Sequence, residues 1–142
     1  MSVYSGLNIK KLVKNKKIKI EPYNEELVQN NSYQLTLLES LKMKKFEFKC
    51  VWTKEKITLP NDIVGLMTAK SKLARLGLFF PNSMGCDAGF SGNLVVELFY
   101  LGEEEIKLNA GEPILHLWLL KTIGKCKPYR GIYYNQKPGD KL

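Results

Sequence analysis

The sequence is poor in metal ligands and cross-linking residues. It holds one histidine, His116, and three cysteines, Cys50, Cys86 and Cys126, among 142 residues. An odd number of cysteines cannot pair fully within one chain, and no C-x-x-C spacing occurs. The thiols read as free, and a zinc site would need carboxylates and scattered thiols. No apolar run approaches the ~18–20 residues that cross a bilayer. The opening Met1-Ser2-Val3-Tyr4 lacks the charged-then-apolar pattern of a secretory signal. The expectation is a cytoplasmic protein with no membrane partner. Internal repeats and long linkers are missing too, which leaves one domain over residues 1–142.

What is present suits a folded chain. Hydrophobic residues make up 44% and charged residues 25%, so disorder is excluded on composition. The length suffices to bury a core without staples. Net charge is +8, with an early cluster of Lys10, Lys11, Lys14, Lys16, Lys17 and Lys19. Such a balance suits a polyanion, either nucleic acid or nucleotide phosphates, or it is simply a solvated face.

Patterning predicts many short strands. Leu7, Ile9, Leu12 and Val13 are spaced at helical period, so residues 5–13 form a short helix. Alternation predicts strands over 17–20, 32–37, 45–49, 51–53 and 63–68, and a strand at 57–59 running into a proline turn. Residues 70–76 (K-S-K-L-A-R-L) are a helix closed by Gly77. A turn-rich stretch over 81–92 follows, then strands over 93–100, 106–108 and 114–120. This is the pattern of an all-β barrel or jelly roll with a short interior helix. The tail from 124, with Pro128, Gly131, Pro138 and Gly139, is expected to be mobile.

Three segments could carry chemistry. In the 70–76 helix, Ser71 and Arg75 are four apart and share a face. Lys70, Ser71 and Lys72 stand at its start, where free N–H groups attract anions. The same segment is also read as an ordinary amphipathic helix burying Leu73 and Leu76. In Leu94-Val95-Val96-Glu97-Leu98-Phe99-Tyr100, a lone carboxylate lies among apolar neighbours, on the face of Val95 and Phe99. Desolvation disfavours the charged form of such a group and suits it to proton shuttling; the alternative is a partly wet strand face. Asp87-Ala88-Gly89-Phe90-Ser91-Gly92 reads locally as a turn, from which Asp87 could also orient a water or a sugar hydroxyl.

Taken in order, these motifs resemble the dCTP deaminase/dUTPase superfamily. The resemblance runs from Ile57-Thr58-Leu59-Pro60-Asn61-Asp62-Ile63-Val64-Gly65 through Lys70-Ser71-Lys72-Leu73-Ala74-Arg75-Leu76-Gly77-Leu78. It continues through residues 87–92, Glu97 and Gly111-Glu112-Pro113-Ile114 to Pro128-Tyr129 and Tyr133-Tyr134-Asn135-Gln136, covering nearly the whole chain. It implies a distorted β-barrel or jelly roll of the dUTPase-like (β-clip) type, assembled as a homotrimer with sites between subunits. The tail, about 124–142, would close over the site. Mg²⁺ would be held through the triphosphate, with no metal ligands on the protein and no zinc, in keeping with the lack of H-x-E and P-C-x-x-C. By position, Glu97 is the implied base for water attacking C4 of cytosine, with Ser71 and Arg75 positioning that water. Asp87 matches the aspartate beside the deoxyribose. Lys70, Lys72, Tyr129 and Gln136 contact the nucleotide, with Gln136 at the base.

The chain departs from that pattern at several points. Lys70 and Lys72 replace an arginine and a serine, which removes bidentate geometry at position 70. Ile132 stands where a lysine is usual, leaving Arg130 or Lys137 as substitutes. His116 replaces a glutamine and Gln34 an aspartate, and the 81–86 loop is about one residue short. Three readings follow. They are a dCTP deaminase, either alone or with further hydrolysis to dUMP and pyrophosphate; a dUTPase; or a relative that binds nucleotide or nucleic acid without catalysis.

Overall fold

The computed structural model describes residues 2–81 and 85–141. Residues 82–84, the centre of the loop that the sequence suggests is shortened, lie outside the described part. The strands are β1 (Lys19–Glu21), β2 (Tyr33–Thr36), β3 (Leu41–Met43), β4 (Phe48–Thr58), β5 (Ile63–Ala69), β6 (Leu78–Phe79), β7 (Gly85–Cys86), β8 (Ser91–Tyr100), β9 (Ile106–Leu108) and β10 (Pro113–Lys121). Two α-helices, α1 (Gly6–Lys14) and α2 (Ser71–Arg75), accompany them.

The strands form two four-stranded antiparallel sheets, ordered β1-β4-β8-β6 and β2-β10-β5-β7, and a two-stranded ribbon of β3 and β9. Alternation decides which side chains face inward. On β8 Leu94, Val96, Leu98 and Tyr100 are buried, and on β10 Leu115, Leu117 and Leu119. Together with Ile63 and Met67 of β5 they join one core, each such side chain stabilising the fold by ~1.5–3 kcal/mol. The result is a jelly-roll-like, mainly β molecule, as the strand pattern predicts.

Helix α1 begins at Ser5, whose hydroxyl accepts the Asn8 N–H at 3.3 Å, and it buries Ile9. Two cations of the basic N-terminal run are engaged locally: Lys10 pairs with Glu25 at 2.6 Å and Lys17 with Asp62 at 2.9 Å. Helix α2 is a single turn that buries only Leu73. It ends in Gly77 at φ 89°, where a Cβ would lie 2.8 Å from the Gly102 nitrogen. That close approach is why glycine follows the helix.

The structure revises two strand assignments. Residues 45–46 form a turn, with Phe46 at φ 68° and 68% exposed; the alternation there reflects no buried face. The pieces expected at 51–53 and 57–59 are one strand, β4, whose register shifts between Trp52 and Lys56. A bulge breaks the alternation of burial, so the sequence reads as two strands.

Candidate active site

A cleft of about 640 Å³ opens where the outward face of β4 and β8 meets the β7 turn and the C-terminal tail. On β8 the outward residues are Val95, Glu97 and Phe99, each half-buried. Across the sheet Trp52 pairs with Val95, Cys50 with Glu97 and Phe48 with Phe99. Glu97 therefore stands in the middle of an apolar, aromatic-flanked wall, with the Cys50 thiol as its cross-strand neighbour. Burial first, and then the charge of Glu97, push the Cys50 thiol above its usual range. At the far wall Cys86 is buried and pushed up to about 12, chiefly by desolvation and secondly by Asp87.

The tail forms the remaining wall, docked by hydrogen bonds along its length. Tyr129 N–H donates to the Ala88 carbonyl at 3.0 Å, Asn135 N–H to Ser91 at 2.7 Å, and Asn93 N–H to the Gln136 carbonyl at 2.9 Å. The Tyr129 ring lies 5.9 Å from that of Phe90. The turn Asp87-Ala88-Gly89 explains the close fit. Gly89 has φ 82°, and a Cβ there would sit 2.7 Å from the Pro128 Cα. Arg130 donates to the Gly89 carbonyl at 3.2 Å and lies 4.2 Å over the Tyr134 ring. Its guanidinium is thus occupied with holding the tail.

Of the residues singled out in the sequence, Glu97, Asp87, Tyr129 and Gln136 line this one cleft. Lys70, Ser71, Lys72 and Arg75 do not. They lie on or just before α2, where Ser71, Lys72 and Arg75 are exposed. Lys70 is half-buried, close enough to His116 that its charge, after burial, depresses the imidazole. His116 Nδ1 is 3.1 Å from the Ser32 hydroxyl. Sequence reasoning passed over Cys50 and Trp52 as site residues. Only the β4–β8 register puts them beside Glu97 and Val95, and no local pattern announces a register.

Beyond Glu97 the same sheet face turns wholly apolar. Phe48 and Phe79 both pair with Phe99 in register. Phe48 is 57% and Phe79 52% exposed, with Leu76 and Leu101 also open to solvent. Among the described residues no helix is long and apolar enough to cross a membrane.

The sequence pattern of the dCTP deaminase-like family matches residues 39–122, more than half of the chain. The chain belongs to the dCTP deaminase-like family. It is 34% identical, over 95% of its length and 94% of the relative's, to the "Probable deoxyuridine 5'-triphosphate nucleotidohydrolase" of Sulfolobus islandicus rod-shaped virus 1. It is 29% identical to the dCTP deaminase of Ignicoccus hospitalis, over 95% of this chain and 93% of that one. The 2'-deoxycytidine 5'-triphosphate deaminase of Agrobacterium tumefaciens has the same fold, with a TM-score of 0.71 at 17% identity over 82% of this chain and 47% of that one. As a member of this family the chain is a hydrolytic enzyme of nucleotide metabolism.

Proposed function

We propose that the chain is a hydrolytic dCTP deaminase, releasing dUTP and ammonia, whose site is completed by a second copy in a homotrimer. The observation that carries this reading is Glu97, half-buried in a cleft that also holds Asp87, Tyr129 and Gln136. A monofunctional dUTPase has little use for a carboxylate on this wall, whereas deamination needs one.

The chemistry follows from that carboxylate. Glu97 takes a proton from water as its oxygen bonds to C4 of cytosine, giving a tetrahedral adduct. The proton is returned to the exocyclic amine, the C4–N bond breaks and ammonia leaves, while the remaining hydroxyl proton of the adduct passes to N3 as the C4 carbonyl forms. General acid–base transfer of this kind contributes ~10²–10⁴-fold. Ser71 and Arg75 of the neighbouring copy orient the water and steady the developing charge. Their exposure on α2, and the exposed Phe48 and Phe79 on the sheet face that carries Glu97, support a contact between copies there. Lys70 and Lys72 neutralise phosphate charge, and the tail closes over the base. Among the described residues no three His, Cys, Asp or Glu side chains gather as a metal cage. Mg²⁺ would enter the site as a complex with the triphosphate, where it would neutralise further phosphate charge.

The second reading is a dUTPase, favoured by Asp87 at the cleft wall and by the 34% identity to the viral relative named above. Incubation with dCTP or dUTP and Mg²⁺ separates the two. Ammonia from dCTP supports deamination, pyrophosphate from dUTP alone supports the second reading, and turnover of neither leaves a binding protein. Glu97→Gln should cost at least about 10²-fold in ammonia release while nucleotide affinity persists. Mixing Glu97→Gln chains with Arg75→Ala chains should restore part of the rate, because some sites then combine two intact halves; no recovery would put both residues in one copy's site.

A further inference from the structure

Behind the cleft lies a buried polar network that the proposed chemistry does not use. It fills the irregularity in β4. Trp52 pairs with Val95 and Lys56 with Asn93, so Thr53, Lys54 and Glu55 together stand opposite Leu94 alone. A bulge of this kind leaves ladder groups unpaired, and here side chains take them up. Thr53, 0% exposed, accepts the Leu94 N–H at 3.0 Å and donates to the Glu55 carbonyl at 3.0 Å. The Asn93 amide donates to the carbonyls of Thr53 and Lys54 at 3.2 and 3.3 Å. The Glu55 carboxylate, 1% exposed, accepts the N–H and hydroxyl of Thr36 at 2.9 and 2.6 Å, tying the bulge to the opposite sheet.

The other side of Asn93 holds the tail. Its N–H donates to the Gln136 carbonyl at 2.9 Å, and its carbonyl accepts the Gln136 side-chain amide at 2.7 Å. Gly92 permits this approach, since a Cβ at that position would lie 3.0 Å from the Gln136 oxygen. One residue thus grips the bulge with its side chain and the tail with its backbone.

We propose that Thr53 and Asn93 are positioning residues: through the β4 bulge they fix the stretch of β8 on which Gln136 is docked, and so hold the base-binding end of the cleft. This rests on the reading of the cleft as a nucleotide site. Neither residue touches the reacting atoms. Loosening the bulge releases the backbone of Asn93 and Leu94, and the tail with it. The network reaches Gln136 directly and Glu97 only through the strand, so the loss falls on binding more than on turnover.

The test uses the full chain with Thr53→Val, which keeps volume and removes the hydroxyl, and Thr53→Ser, which keeps the hydroxyl. In Thr53→Val the KM for nucleotide should rise about tenfold with kcat within about twofold. Amide exchange over residues 133–137 should quicken about tenfold while β10 keeps its protection. Thr53→Ser should return both to near wild type. Asn93→Ala should reproduce the effect and serves if Thr53→Val does not fold. Unchanged KM and tail exchange in a folded variant, or a lower melting temperature with uniformly faster exchange and unchanged KM, would overturn the proposal. A wild-type chain that turns over neither dCTP nor dUTP would refute the nucleotide reading instead, and tail exchange alone would then decide the positioning claim.

Discussion

Gly89→Ala should undock the tail while leaving the two sheets intact. Gly89 sits at φ 82°, a region that costs an L-residue ~1–2 kcal/mol. Its new Cβ would meet the Pro128 Cα at 2.7 Å and the Tyr129 nitrogen at 3.0 Å. These are backbone atoms, so no rotamer change relieves the contact and the tail must move. Moving it loses the bond from Tyr129 N–H to Ala88 and that from Arg130 to Gly89, each worth ~0.5–1.5 kcal/mol. The Tyr129–Phe90 ring contact adds ~0.5–1.5 kcal/mol. The three lost contacts alone sum to about 3 kcal/mol, or roughly a hundredfold in the docked population. Limited proteolysis should cut the variant's tail far faster than wild type, nucleotide KM should rise, and the core should melt as before. A variant with wild-type tail protection and KM would refute the reasoning, because it would mean that the 87–92 turn does not seat the tail.

His116 and the cysteines give two further predictions. Burial first, and Lys70 second, hold the His116 imidazole below its ordinary 6.5. The unfolded chain therefore takes up this proton at higher pH than the folded one, and stability from this group is full above 6.5 and lost as pH falls through the folded value. His116→Gln should flatten the melting-temperature profile in that acid window; an unchanged acid limb would assign it to another group. With a thiol reagent near pH 8, exposed Cys126 should react first and Cys50 more slowly, since its thiol is raised. Cys86, at about 12 and buried, should react only on unfolding. Nucleotide should slow Cys50 further, and labelling of Cys50 indifferent to nucleotide would exclude it from the occupied cleft.

The strands were legible where burial alternates, as over residues 94–100 of β8 and 115–119 of β10, and the α2 stop was legible because only glycine suits the turn at position 77. Legibility failed where tertiary pairing overrides pattern. The bulge at 53–55 hides the continuity of β4, and the two-residue strands β6 and β7 are set wholly by their partners. For the site, the sequence singled out Glu97 as a carboxylate out of place on an apolar strand. It could not supply Cys50, Trp52 or Asn93, whose relevance comes from cross-strand register and from a tail that returns over 40 residues later in sequence to lie along β8.

The outward face of β8 connects these observations. An ordinary solvent-facing sheet surface carries charge, yet here exposed Phe48 and Phe79 flank half-buried Phe99 in a row that continues the wall holding Glu97. Covering that row would remove water from the carboxylate's surroundings and strengthen every electrostatic contact made there. In the proposed assembly the covering element also brings the Ser71 hydroxyl and the Arg75 guanidinium, which the isolated chain leaves in solvent. Burial of the patch and completion of the site would then be one event, so activity should follow oligomer formation and vanish on dilution to monomers.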